Sequence, residues 1–126
     1  MSRAEALRDL LAHGEAGRFP EPAQVPLDLW VWPSEGFMGH AVDAFDGSLD
    51  AVARLEAPLR ERGWRLPVLS PPERQNGGNP HWMVRMSAPW IPGGRPRKFA
   101  VNAPTEARTR LLAVLRALLH EAEQAP

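Results

Sequence analysis

Residues 104–123 constrain the fold of this chain more than any other segment. Ala107, Leu111, Val114, Leu115, Leu118, Leu119 and Ala122 recur at the spacing of one wide helical face. Pro104 suits a first-turn position, and Glu106 follows where the helix dipole favours an acid. Such a stripe must be covered by other elements, because an amphipathic helix finds its stability in packing rather than in propensity. Burying one Leu side chain contributes about 1.5–3 kcal/mol. The helix carries five of them.

The covering elements are legible in outline. Residues 3–13 predict a short helix with Ala4, Leu7, Leu10 and Leu11 on one face, ended by Gly14 and Gly17. The proline-rich stretch 18–26 predicts an extended connector. Residues 27–32, LDLWVW, read as a strand in which Trp30 and Trp32 share a face. The glycine-containing stretch 34–47 shows no clean period and reads as a loop with one helical turn. Residues 49–62 predict a second helix, with Ser48 as N-cap, Asp50 in the first turn and Gly63 as the left-handed stop. Pro58 should kink or split it.

Strands are predicted at 64–70, 81–88 and 97–101. In the second of these, Trp82, Val84, Met86 and Ala88 alternate with His81, Met83, Arg85 and Ser87. The Gly77-Gly78 and Gly93-Gly94 pairs lie between strands, which suits hairpin turns rather than a phosphate cradle at a helix start. The expected architecture is one α+β domain over residues 1–126, a three- to four-stranded antiparallel sheet packed with two or three helices.

Composition narrows the class of protein. There is no cysteine, which removes disulfides, thiolate metal sites and a cysteine nucleophile. No apolar run reaches the ~18 residues of a membrane span, and the opening residues do not read as a signal peptide. The expected location is the cytoplasm. Net charge is zero, yet residues 1–56 hold ten acids against four bases, and residues 57–126 hold five acids against eleven bases. The two halves either cancel in the fold or present a bipolar surface to a charged partner.

Several short pieces together resemble the phage ABA sandwich domain family, small proteins of bacteriophages and prophages. They are Arg3–Leu11, Leu27-Asp28, the FDGSLDA helix start at Phe45–Ala51, Gly63-Trp64-Arg65 and Ala103–Leu119. The stretch after Leu27-Asp28 departs from that outline, being strand-like LWVWP. The resemblance implies a phage or prophage origin, with host cytoplasm as the location, and a fold. It implies no activity, and it assigns no functional residues.

Motifs for chemistry are sparse. His40, Asp43, Asp46 and Asp50 are the one cluster of titratable groups with metal-ligand character. They read more simply as cap and loop residues. No P-loop, HExxH, EF-hand or GxSxG pattern occurs. The expectation is therefore no enzyme, no cofactor and no metal, and an enzyme built on His40 and the nearby aspartates ranks last. The most distinctive surface is the 90–98 loop, WIPGGRPRK, which sets Trp90 beside Arg95, Arg97 and Lys98. Trp and Arg dominate protein interfaces. The same set can stack on bases and neutralise phosphates, although zero net charge counts against a dedicated nucleic-acid binder. Glu35, Asp43 and Asp46 form a second, acidic candidate surface.

The reading is a small phage accessory protein that binds another protein, for example as an inhibitor of a host defence system. A toxin-immunity protein and a nucleic-acid module using the 90–98 loop are the alternatives. On this reading Trp90→Ala weakens a protein partner by more than about 1 kcal/mol and leaves folding intact. Titration calorimetry together with a melting curve checks both halves of that statement.

Overall fold

The architecture is built around the predicted C-terminal helix. A computed structural model describes residues 2–19, 36–70, 82–89 and 97–124, with the side chains of 66–70 outside the description. The elements are α1 (Arg3–Glu15), α2 (Phe37–Phe45), α3 (Leu49–Glu61), β1 (Arg65–Ser70), β2 (Trp82–Ser87), β3 (Lys98–Ala103) and α4 (Glu106–Gln124). The chain is α+β, with four helices among the described residues where two or three were expected. The predicted strand at 27–32, the loop at 71–80 and the Gly93-Gly94 turn lie outside the described residues.

α4 begins at Glu106, two residues later than Pro104 suggests. Thr105 is the capping residue: its Oγ1 accepts from the Arg108 N–H at 3.2 Å. Leu111, Leu115 and Leu118 are completely buried, and so are Leu112, Ala113 and Ala117 between them. The helix is thus covered on more than one face. It packs against β2 and β3 on one side and against α1, α2 and α3 on the others.

The extra helix is α2. Phe37, Met38, Ala41, Ala44 and Phe45 are all buried, and their spacing is helical after all. Gly36, Gly39 and Gly47 dilute the pattern in the sequence. Two of these serve the ends, since Gly36 and Gly47 have φ of +82° and +114°. Only one glycine, Gly39, lies inside the nine residues, and packing against α3 and α4 makes so short a helix stable.

α1 runs to Glu15, so Gly14 lies inside it rather than ending it. A Cβ at Gly14 would stand 2.7 Å from Leu112 Cδ2. The glycine permits the close approach of α1 to α4. α3 is not split by Pro58. The lost N–H falls in the last turn, and the carbonyl it would have served belongs to exposed Arg54, where water can satisfy it. After Arg62, the Trp64 N–H bonds the Leu59 carbonyl and the Gly63 N–H bonds the Arg60 carbonyl, both at 3.0 Å. This is a Schellman closure, with buried Leu59 and Trp64 as its apolar pair.

The sheet is antiparallel, in the order β1-β2-β3. β2 and β3 pair without a break from Trp82↔Ala103 to Ser87↔Lys98. β1 pairs Arg65 with Ser87 and Val68 with Arg85, so one extra residue sits on β1. Pro67, which has no N–H to offer the ladder, falls within that irregularity. Val84, Met86, Ala88, Val101 and Ala103 are buried toward α4, while Arg85, Lys98, Ala100 and Asn102 are exposed.

Leu115→Ala removes a fully buried side chain from the centre of this core. It should lower stability by about 2–5 kcal/mol in urea denaturation. A loss below about 0.5 kcal/mol would show that this face of α4 is not the core.

Candidate functional site

Successive residues of a strand point to opposite faces, and this rule divides the 90–98 segment. Trp90 and Arg95 lie outside the described residues, as does Glu35. Arg97 and Lys98 are both described and both exposed, but they do not share a surface. Arg97 turns with Phe99 toward the helices, its guanidinium carbon 5.8 Å from the Phe99 ring centre. Lys98 turns to the open face of the sheet.

On that open face the strand register assembles a basic surface. Arg65, Ser87 and Lys98 are directly paired across β1, β2 and β3. With strands about 4.8 Å apart, the backbones of Arg65 and Lys98 stand about 10 Å apart on either side of Ser87. Arg85 lies two residues along β2 from Ser87, on the same face. These four residues and Ala100 line a groove of about 500 Å³, which Met86 and Phe99 also border although their side chains belong to the helix-facing side of the sheet. Among the described residues no acidic side chain lines it. Among the described residues no carboxylate pairs with Arg65, Arg85 or Lys98.

The alternation in the sequence places Arg85 on the face of its strand opposite Trp82, Val84 and Met86, and does not connect it with Arg65 or Lys98. The three lie on three strands. Their proximity follows from the register, which the hydrophobic pattern alone does not give.

The acidic candidates sit elsewhere. Asp43 is exposed on α2 and Asp46 forms its C-cap, with exposed Asp50 in the first turn of α3. Exposed Val42 and Leu49 flank them. His40 is half-buried on α2. Among the described residues, no three His, Asp or Glu side chains converge as a metal site would require.

The unequal halves of the chain partly cancel inside the fold. Glu56 on α3 is 1% exposed. Arg110 on α4 grips it with two nitrogens, its Nε donating to Oε2 at 3.0 Å and its Nη2 to Oε1. Arg60 approaches the same carboxylate at 3.7 Å. The hydrogen bond to Glu56 raises the Arg110 pKa above its ordinary value, against the opposing effect of desolvation.

A second pair joins Arg62 to Glu121, with bonds of 2.8 and 2.7 Å. Glu121 also accepts from the indole N–H of Trp64 at 3.1 Å. Arg108 donates to the Phe45 carbonyl at 2.9 Å and lies 4.0 Å over the Phe45 ring. These cations are committed to structure. That separates them from Arg65, Arg85 and Lys98.

Compared with family models, curated proteins and solved structures, the chain matches none of them. No helix among the described residues is long and apolar enough to cross a membrane.

Removing one partner of a buried pair strands the other charge. Arg110→Met should cost about 3–5 kcal/mol, because Glu56 is left buried. The double variant Glu56→Leu/Arg110→Met should recover most of that loss, because no charge is then stranded. Urea denaturation of the two single variants and the double variant measures this. A double variant no more stable than Arg110→Met would refute the assignment.

Proposed function

We propose that the protein acts by binding an acidic segment of another protein on the open face of its sheet, without chemistry of its own. The observation that carries this reading is the convergence of Arg65, Arg85 and Lys98 on one groove that, among the described residues, no carboxylate lines. Three cations without a described counter-charge, set side by side on one sheet, attract a negative partner over a distance and fix its register on contact. Lys98 belongs to the segment singled out in the sequence, so Trp90 and Arg95 extend the same reading.

The biological setting is also part of the proposal. The family resemblance supports a phage or prophage accessory protein working in the host cytoplasm. An inhibitor of a host defence protein needs a shaped, charged surface and no catalytic group. Toxin immunity places the same demands on the surface. Nucleic-acid binding is the second reading, favoured by the cations alone. Zero net charge disfavours it, because domains dedicated to nucleic acid are basic overall.

The test compares wild type with the Arg65→Ala/Arg85→Ala/Lys98→Ala variant in affinity capture from host lysate, with and without nuclease. The three positions are exposed, so the variant should fold normally. A protein captured by wild type and resistant to nuclease should be lost from the variant. Its binding should weaken more than about tenfold, mainly through slower association that loses its salt dependence. An identical partner set for both forms would sink the assignment. Nuclease-sensitive capture, with affinity falling linearly in log–log salt plots, would select nucleic acid instead.

A further inference from the structure

The two edges of the sheet are not alike. Among the described residues, β1 forms one edge and β3 the other. β1 carries Pro67 within its irregular register, and a proline or a bulge blunts an edge against further pairing. β3 has neither. It pairs residue for residue with β2 along its whole length and contains no proline. One bond fixes the direction of its backbone groups: the Ala88 N–H donates to the Arg97 carbonyl at 2.8 Å. These groups alternate along a strand, so Arg97, Phe99, Val101 and Ala103 turn their N–H and C=O toward β2. Lys98, Ala100 and Asn102 turn theirs outward, and no backbone group among the described residues bonds to them.

Space lies beside this edge. Ala100, Val101 and Asn102 are successive residues, yet all three line one cavity of about 290 Å³. Side chains alone would point alternately into and away from it, so the cavity runs along the edge of the strand. On its helix side Leu112 supplies apolar surface, while Glu15 and Arg116 bring one acid and one base and hence no net charge. Charge selection therefore falls to the open face. There Lys98 stands on the edge strand itself, and Arg85 is paired with Ala100, whose methyl group is too small to screen it. A second copy of the chain on this edge would bring two sets of cations together, and an edge lysine is a common guard against such self-pairing. An acidic segment meets attraction instead.

We propose that an acidic, extended segment of a partner protein adds to the outer edge of β3 as an antiparallel fourth strand. The inference rests on the open face being the binding surface and specifies how the partner lies against it. Outward N–H and C=O groups of Lys98, Ala100 and Asn102 supply the main-chain bonds, and alternate side chains supply the selectivity. Residues of the segment opposite those three project onto the open face. Their backbones stand about 4.8 Å from β3 and about 10 Å from β2, within reach of Lys98 and Arg85 side chains. Carboxylates suit these positions. The residues between them lie opposite Phe99 and Val101 and turn toward Leu112, which suits β-branched side chains.

The probe is the peptide acetyl-Glu-Val-Glu-Val-Glu-Val-Glu-amide, added to the full-length protein labelled with nitrogen-15. In the free protein the Lys98, Ala100 and Asn102 amides should exchange with solvent rapidly, and the Phe99 and Val101 amides slowly. Saturating peptide should slow the first three by more than about tenfold. In the proposed strand only the glutamate N–H groups face β3. A peptide N-methylated at its valines should therefore protect the same three amides, and one N-methylated at its glutamates, with identical charge, should not. Lys98→Ala should weaken the unmodified peptide by about tenfold. The strand proposal is overturned if the three amides are already slow in the free protein, if the peptide fails to bind at millimolar concentration, or if both methylated peptides act alike. Binding by the glutamate-methylated peptide that depends on Arg65 and Arg85 but leaves the three amides unprotected also overturns it, while upholding the open face as the binding surface. Failure of that wider reading shows separately, in lysate capture unaffected by the triple substitution.

Discussion

The burial of α4 is the constraint on which the rest of this structure depends. A helix with a single apolar stripe needs one neighbour. α4 buries Leu111, Leu112, Ala113, Val114, Leu115, Ala117, Leu118 and Leu119, which leaves little of its middle for water. It therefore needs a sheet on one side and helices on the others. Gly14 gives up its side chain so that α1 can reach Leu112. α2 holds its helical form, despite its shortness and Gly39, because Phe37, Met38 and Ala41 cover the same core. The inner face of the sheet, with Val84, Met86 and Val101, completes the enclosure.

Enclosing α4 also sets where charge can go. Arg110 lies on the part of α4 that meets α3, and Glu56 lies on the part of α3 that meets α4. Each ion is held by the other's charge and hydrogen bonds. The acidic first half and the basic second half are joined at this point, and again where Arg108 covers Phe45. The Arg62–Glu121 pair, by contrast, lies at the surface and contributes little by itself. Its geometric effect is larger, since Glu121 also fixes the Trp64 indole that stacks on Phe99.

The sheet converts its register into two separate surfaces. Because Arg97 and Lys98 are adjacent, they emerge on opposite sides of β3. Lys98 joins Arg65 and Arg85 on the open face. Arg97 joins Arg116 and His120 at the helical seam. One basic segment in the sequence thus serves two environments with different demands. The open face offers exposed charge to a large partner. At the seam the guanidinium groups instead lie near the Phe99 ring.

The sequence by itself determined the elements whose periodicity is strong and local. The α4 stripe, the alternation of β2, the Ser48 cap and the Gly63 stop all follow from side-chain spacing or from one residue's backbone preference, and the structure has each of them. Tertiary structure alone decided the features that depend on distant partners. α2 is a helix because of what it packs against. Gly14 sits inside α1 because Leu112 needs its space. Glu56 reads as one of several acids on α3 and becomes a buried ion only because Arg110, 54 residues away, meets it. The same holds for both basic surfaces. Arg65, Arg85 and Lys98 are far apart in sequence, and only strand pairing, a long-range choice made by the whole core, sets them side by side.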